Sequence, residues 1–291
     1  MDSICARLVQ QAKTRPDAPA YWVKQGDGWE PTSWAVYQEE VHMVARALIS
    51  LGLGPGDFVC ILGFNRPEWA LSDLGAMACG AVPAGIYTTC SGEEVAYILN
   101  HCQARVVVLE DAGQYDKIRA HRAELPHLER IVMMRGAPAV EADDVDSWED
   151  FVARASRASA ATVDERIAAL QPADLATLIY TSGTTGPPKA VMLSHDSLAW
   201  TARQGVELLG MTPNDCSVSY LPMSHIAEQM FSLHIPVTSG EQIYYAESLA
   251  QLADNLREVQ PTVFFGVPRI WEKFHAKVAA QLAAVQECWT V

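Results

Sequence analysis

Helical and extended hydrophobic patterns alternate along this chain, and that alternation limits the available folds more than any other feature. Apolar residues recur at helical spacing over residues 39–51, and the Gly- and Pro-containing segment 52–57 then ends the helix. Residues 58–64 follow as a continuous apolar run, which is typical of a strand buried on both faces. Repetition of this unit predicts an α/β fold with a mostly parallel sheet flanked by helices.

Helix-capping residues mark the units that follow. Asn65 is expected to cap a helix with Pro67 in its first turn, and Ser91 with Glu94 forms the pattern of a capping box. The N-terminal residues show helical apolar spacing and predict a docked amphipathic helix. Further strands are predicted at 81–87, 105–110, 130–134, 175–181, 190–193, 217–221, 242–246 and 262–266, and further helices at 93–101, 112–125, 147–156, 198–208, 226–237, 249–259 and the C-terminal end.

Two segments interrupt the alternation. Residues 141–150 are acidic, and residues 155–162 are rich in Ala and Ser, so both are expected to be surface connections. The acidic run lacks the ligand spacing of a calcium loop. We place a boundary near residue 165, which predicts a first α/β subdomain at 1–165 and a second one at 166–291.

The charge balance limits the classes of ligand. A net charge of −14 argues against general nucleic-acid binding, because that requires an excess of Lys and Arg on the surface. An anionic ligand would need a local pocket of cations or backbone N–H groups. Seven cysteines without a C-x-x-C pair argue against a disulfide framework or a zinc site and favour reduced thiols in the cytoplasm.

The N-terminal 17 residues contain no apolar core of a secretion signal. The most apolar stretch, residues 70–86, is interrupted by Asp73 and Pro83 and is shorter than the roughly 20 residues that cross a bilayer. Peripheral contact with a membrane stays open.

The segment YTSGTTGPPK, residues 180–189, carries the clearest chemical signal. Gly183 and Gly186 let the backbone turn and approach a ligand closely. Hydroxyl groups add donors to the loop N–H groups, and Lys189 adds a compact positive charge, a combination that suits phosphate oxygens. Two prolines restrict the loop and reduce the entropy cost of ordering it. The alternative is a flexible surface loop rich in Ser, Thr and Gly.

The segment is not a Walker A loop, since two prolines separate Gly186 from Lys189. The longer string YTSGTTGPPKAVMLSH instead resembles the phosphate-loop signature of the adenylate-forming superfamily, which includes acyl-CoA synthetases, luciferases and peptide-synthetase adenylation domains. Ala190 departs from the glycine that most members have there. The resemblance implies ATP and Mg²⁺ as ligands, with Thr181 as a magnesium contact. The implied nucleotide-binding residues are Thr181, Ser182, Gly183, Thr184, Thr185, Gly186, Pro187, Pro188 and Lys189.

A second string, YLPMSHIAEQ at residues 220–229, resembles the family motif whose His or aromatic residue borders the acyl and adenylate pocket. His225 would have that role, as a catalytic residue. The alternative is a histidine at a helix start that hydrogen-bonds the backbone, and Ser224 as the N-cap suits either interpretation.

Two more strings, FFGVPRIWEKF and GFNRPEWALSDLGAMACGAVPAGIYTT, resemble long-chain acyl-CoA synthetases, most closely the bubblegum branch. The resemblance implies an ATP-dependent fatty acid–CoA ligase with ATP, a fatty acid and CoA as small-molecule substrates. Family members continue through further motifs and a small C-terminal domain that this sequence does not contain. We therefore expect the chain alone to be inactive and to require the missing half. The alternative is a non-catalytic nucleotide or acyl binder.

Overall fold

The computed structural model describes residues 2–181 and 186–288 of the chain. Seven strands form one sheet in the order β7-β6-β5-β3-β4-β8-β9, in which all neighbours are parallel except the antiparallel pair β8–β9. The prediction of a mostly parallel α/β sheet is confirmed. The strands are β3 (Phe58–Leu62), β4 (Val82–Ile86), β5 (Val106–Leu109), β6 (Arg130–Met133), β7 (Val145–Ser147), β8 (Leu175–Thr181) and β9 (Lys189–Ser194).

A second sheet has four strands in the order β10-β11-β1-β2. Its strands β1 (Pro19–Gln25) and β2 (Gly28–Ser33) were not predicted. β10 (Cys216–Ser219) and β11 (Gln242–Tyr245) overlap the strands predicted at 217–221 and 242–246. β1 pairs in parallel with β11, so that Tyr21 lies opposite Ile243. Both sheets contain strands from both sides of residue 165. A boundary at residue 165 therefore does not separate the two sheets. The division of the chain into two subdomains stays a prediction.

Helices pack on both faces of the seven-stranded sheet. Val59 and Ile61 on one face of β3 belong to a core shared with α1–α3 and the four-stranded sheet. Cys60 and Leu62 on the other face belong to a core shared with α4 and α5. The helices are α1 (Ile4–Thr14), α2 (Trp34–Ser50), α3 (Pro67–Cys79), α4 (Gly92–His101), α5 (Ala112–Ala120), α6 (Trp148–Ala153), α7 (Ala160–Ala169), α8 (His195–Leu209), α9 (Ile226–Gln229), α10 (Ile235–Ser239), α11 (Leu252–Val259) and α12 (Pro268–Cys288). Within the described ranges, no helix is long and apolar enough to cross a membrane.

Several local predictions are confirmed and others are wrong. β8 has the predicted bounds, and the capping box of Ser91 and Glu94 is formed. Residues 155–162 are not a plain connection, because a 3₁₀ turn and the start of α7 occupy them. No strand forms at 262–266 in the described part of the chain; a backbone bond from Val263 N–H to the Cys216 carbonyl, 3.2 Å, ties this segment beside β10 without a ladder.

The helix predicted at 226–237 is divided into three pieces. A π-helical turn, Met230–His234, lies between α9 and α10. The N-cap of α3 is Arg66, which makes no side-chain capping bond, so the expected cap by Asn65 is wrong. The Asn65 side-chain amide instead forms hydrogen bonds with Leu221 and Met223.

Candidate functional site

The predicted phosphate loop connects β8 to β9 as a hairpin. Thr181 lies opposite Lys189 at the loop end of the hairpin, and Leu175 lies opposite Ser194 at its other end. Gly186 has a φ of +93°, a backbone conformation that L side chains rarely adopt, which accounts for glycine there. Ser182, Gly183, Thr184 and Thr185 lie outside the described residues, so their predicted role stays a prediction.

A cavity of about 530 Å³ lies at the carboxyl ends of β4 and β8. Parallel strands commonly carry ligands at this edge of a sheet. The cavity brings together Thr181 and Pro188 from the hairpin and His225 from the second motif. Gly186, Pro187 and Lys189 are exposed and do not line it. The other lining residues are Tyr87, Thr89, Cys90, Glu94, Ile98 and Tyr180.

A larger cavity, about 620 Å³, lies between the two sheets at the carboxyl ends of β3, β5 and β6. Charged side chains of both signs line this cavity. The buried Glu68 carboxylate pairs with Arg66 at 2.7 Å and with Arg135 at 3.4 Å. None of the residues singled out from the sequence for phosphate or acyl binding lies in it. We therefore place the candidate site at the smaller cavity.

His225 is the N-cap of α9, and its Nδ1 accepts a hydrogen bond of 3.1 Å from the Ala227 N–H. The expectation that Ser224 caps this helix is wrong; Ser224 is buried against β4 instead. Because Nδ1 accepts, a neutral imidazole carries its proton on Nε2, so the ring of this exposed residue keeps one N–H donor. His225 thus has both the backbone contact of a helix-start histidine and a place at the cavity edge.

Gly85 on β4 lets the His225 segment approach the sheet. A Cβ at this position would lie 2.7 Å from Ser224 Cα and 2.9 Å from Trp69 Cζ2. The first of these contacts is with backbone, which no side-chain rotation relieves. Glycine is therefore required for the observed distance between β4 and the segment that carries His225.

The buried carboxylate of Glu228 holds this segment in place through hydrogen bonds. It was not singled out from the sequence. Glu228 is 2% exposed, and its Oε1 accepts from Ser219 Oγ (2.8 Å), the Tyr220 N–H (3.0 Å), Ser232 Oγ (2.7 Å) and Asn65 Nδ2 (3.1 Å). Burial raises the pKa of Glu228 to about 7, although the donors favour its charged form. A glutamate within an apolar helical pattern was the signal available in the sequence.

Asn65 links the turn after β3 to the segment that carries His225. Its Nδ2 also donates to the Leu221 carbonyl at 2.6 Å, and its Oδ1 accepts from the Met223 N–H at 3.2 Å. The turn after β3 is thereby joined to the strand-to-helix segment before His225. Asn65 and Glu228 position the site and do not line its cavity.

Tyr180 anchors the strand that enters the loop. Its hydroxyl is 2.9 Å from His101 Nδ1, and the His101 ring stacks on Tyr97 with centroids 5.5 Å apart. Burial raises the pKa of Tyr180, so its hydroxyl stays neutral at physiological pH. The residue directly before Thr181 is thus held by helix α4.

The described residues contain no cluster of three or more His, Cys, Asp or Glu side chains that would hold a metal by itself. Thr181, which is exposed at the cavity edge, offers one hydroxyl oxygen. Mg²⁺ at nucleotide sites takes most of its ligands from phosphate oxygens and water, so a single protein hydroxyl is compatible with such an ion.

Comparison with known proteins gives one consistent result. The family model described as AMP-binding enzyme matches residues 8–289. The long-chain-fatty-acid–CoA ligase ACSBG2 of Xenopus laevis is 40% identical over 264 residues, which are 88% of this chain and 36% of that protein. The long-chain-fatty-acid–CoA ligase ACSBG1 of Homo sapiens is 38% identical over 269 residues, 90% of this chain and 37% of that protein. The chain therefore spans little more than a third of the length of these relatives.

Solved structures agree in fold. The N-terminal domain of FACL13 from Mycobacterium tuberculosis, bound to an inhibitor, superposes with a TM-score of 0.76 at 26% identity, covering 93% of this chain and 64% of that one. The anthranilate CoA ligase AuaEII with anthranoyl-AMP superposes with a TM-score of 0.77 at 24% identity, covering 91% of this chain and 49% of that one.

Proposed function

The chain belongs to the family of AMP-binding enzymes, and on that premise we propose that it forms the phosphate- and acyl-binding part of an ATP-dependent long-chain fatty acid–CoA ligase. The observation that carries the proposal is the meeting of Thr181, Pro188 and His225 at one cavity. The names of the relatives supply the substrate class, a long-chain fatty acid with CoA as the acceptor.

The reaction has two steps. The fatty acid carboxylate attacks the α-phosphate of ATP to give acyl-AMP and pyrophosphate, and the CoA thiol then displaces AMP. The hairpin loop between β8 and β9 holds the departing pyrophosphate through its backbone N–H groups and hydroxyls. Lys189, the first residue of β9 after the loop, adds a positive charge where negative charge collects.

Mg²⁺, when bound with ATP, neutralises phosphate charge. Thr181 would offer it one hydroxyl oxygen. His225 borders the adenylate, and its Nε2–H donates to an oxygen of the acyl phosphate. Ile98 and Tyr87 give the same cavity an apolar side that suits an acyl chain. We place the protein in the cytoplasm, and contact with the periphery of a membrane stays open.

The 291 residues bind ATP but do not turn it over without the remaining part that the relatives contain. Positioning of reacting groups can account for about 7–11 kcal/mol of a barrier. In the family, segments that this sequence does not contain also position the reacting groups. Incubation with ATP, magnesium, palmitate and CoA should release no AMP above background. Formation of palmitoyl-CoA by the chain alone would contradict this part of the proposal.

Replacement of Lys189 tests the phosphate role directly. Lys189→Ala should weaken binding of Mg·ATP and of pyrophosphate by roughly 10- to 150-fold, because a charge-assisted contact is worth about 1.5–3 kcal/mol. Isothermal titration calorimetry measures both affinities. Lys13→Ala, which removes an exposed lysine of α1, is the matched control and should leave them unchanged. Equal affinity in the two variants would remove Lys189 from the site.

A further inference from the structure

Two buried cysteines that the proposed reaction does not use are in contact. Cys60 lies in the middle of β3 and is 0% exposed, and Cys102 caps the C-terminal end of α4 and is 5% exposed. Their sulfur atoms are 3.6 Å apart, although 42 residues separate them in sequence. The contact therefore depends on packing of α4 against the sheet.

The other cysteines with described side chains have different surroundings. Cys5 and Cys79 are equally buried, but their thiols donate to the carbonyls of Leu74 (3.9 Å) and Ala76 (3.2 Å). Cys90 and Cys216 are partly exposed. Among the side chains that the structure describes, the pair Cys60–Cys102 is the one with sulfur–sulfur contact.

The two thiols are not equivalent. The Cys102 thiol donates to the Ile98 carbonyl at 3.2 Å, which leaves the Cys60 thiol to donate to Cys102 Sγ. That bond favours a thiolate on Cys102, so it lowers the pKa of Cys102 and raises that of Cys60. The C-terminal end of α4 and the burial of the pair oppose the charge, so reaction should be slower than at a catalytic thiol.

We propose that Cys60 and Cys102 form an oxidisable dithiol, a modification site at which a peroxide converts the two thiols into one disulfide. Cys102 loses its proton to solvent, and its thiolate attacks one peroxide oxygen. The O–O bond breaks, and the leaving hydroxide takes up that proton, so the products are a sulfenic acid on Cys102 and one water. The Cys60 thiol then attacks the sulfenic sulfur. The S–S bond forms, the S–O bond breaks, and the leaving hydroxide takes the Cys60 proton as a second water. The peroxide is reduced by two electrons and the thiols are oxidised by two.

The geometry requires a small movement. The sulfur atoms must approach from 3.6 Å to about 2.05 Å, the length of a disulfide bond. Cys102 ends a helix, where backbone displacement is easier than within β3. Cys60 sits opposite Ala84 and Val107 in the ladder, so its strand is fixed on both sides.

The dithiol adjoins the strand that enters the phosphate loop. The Tyr180 side chain packs in the same core as Cys60 and Cys102, and its hydroxyl contacts His101, the residue before Cys102. Closing the disulfide changes the packing of this core next to Tyr180, which directly precedes Thr181. An effect on nucleotide binding would rest on the proposed function, whereas formation of the disulfide does not.

The test is made on the full chain with Cys90, Cys216 and Cys288 replaced by serine, so that four cysteines remain. After exposure of the folded protein to excess hydrogen peroxide, it is denatured and alkylated. The expected product lacks two hydrogen atoms, takes two alkyl groups instead of four, and yields one linked peptide pair containing Cys60 and Cys102. Dithiothreitol should restore four labelled cysteines. Labelling of all four after peroxide, or a link between Cys5 and Cys79, would overturn the proposal.

Single variants test the order of the steps. Cys60→Ser should leave Cys102 as a sulfenic acid that dimedone traps, and Cys102→Ser should give neither the trapped adduct nor the link. Cys79→Ser, which removes another buried thiol, should still form the link. Circular dichroism and thermal unfolding confirm that each variant is folded. A dimedone adduct on Cys60 in Cys102→Ser would show that the assigned attacking thiol is wrong.

Discussion

At the scale of single residues, Asn65 has the most consequential contacts, because its amide joins the turn after β3 to a carbonyl 156 residues further along the chain. Asn65→Ala leaves the Leu221 carbonyl and the Met223 N–H without these partners and removes one donor from Glu228. Unpaired buried groups cost about 1–3 kcal/mol each, so urea unfolding should show a loss of at least about 1 kcal/mol. Asn214→Ala, in an exposed turn, is the control and should have little effect. Equal stability of the two variants would contradict a structural role for Asn65.

At the scale of elements, the contact between β4 and the segment before α9 depends on Gly85. Gly85→Ala places a methyl group 2.7 Å from Ser224 Cα, which forces the segment away from the sheet. Overpacking of this kind costs about 1–3 kcal/mol, and His225 should move with its segment. Urea unfolding measures the cost, and hydrogen exchange at residues 220–229 measures the displacement. In Gly28→Ala the nearest atom is the Gln25 carbonyl oxygen at 3.9 Å, so this variant should keep wild-type values. Unchanged exchange in Gly85→Ala would show that the contact does not position His225.

At the scale of the whole molecule, buried carboxyl groups make stability depend on pH. Burial raises the pKa of Asp73 and of Glu241 to about 8 and that of Glu228 to about 7. In the unfolded chain these groups ionise near pH 4, so above that pH the folded protein holds more protons than the unfolded chain. Burial lowers the pKa of His42, His195 and His234, which gives the opposite dependence below about pH 6.5. The free energy of unfolding should therefore fall as the pH rises from about 6.5 to about 8, by on the order of a few kcal/mol. Asp73→Asn should make the decline shallower, and Glu207→Gln, at an exposed site, should not. A flat profile in the wild-type chain would contradict these pKa directions.

The sequence by itself determined the features that depend on near neighbours. The alternation of periods gave the α/β class, β8 has its predicted bounds, and Ser91 with Glu94 forms the predicted box. Each depends on side chains within one element or one turn, and a single sequence records those directly. The strings around Lys189 and His225 likewise indicated the family before any geometry was known.

Tertiary structure decided what distant partners control. β1 and β2 are partly exposed and have no strong pattern of their own. β1 pairs with β11, so that Tyr21 lies opposite Ile243. Residues 262–266 have the apolar content of a strand but no ladder. Asn65 was expected to cap a helix because capping is its commonest local use, yet its amide bonds the segment before His225 instead. The local sequence determines the period of each element, whereas strand partners and buried polar contacts follow from hydrogen bonds between residues that come together only in the folded chain.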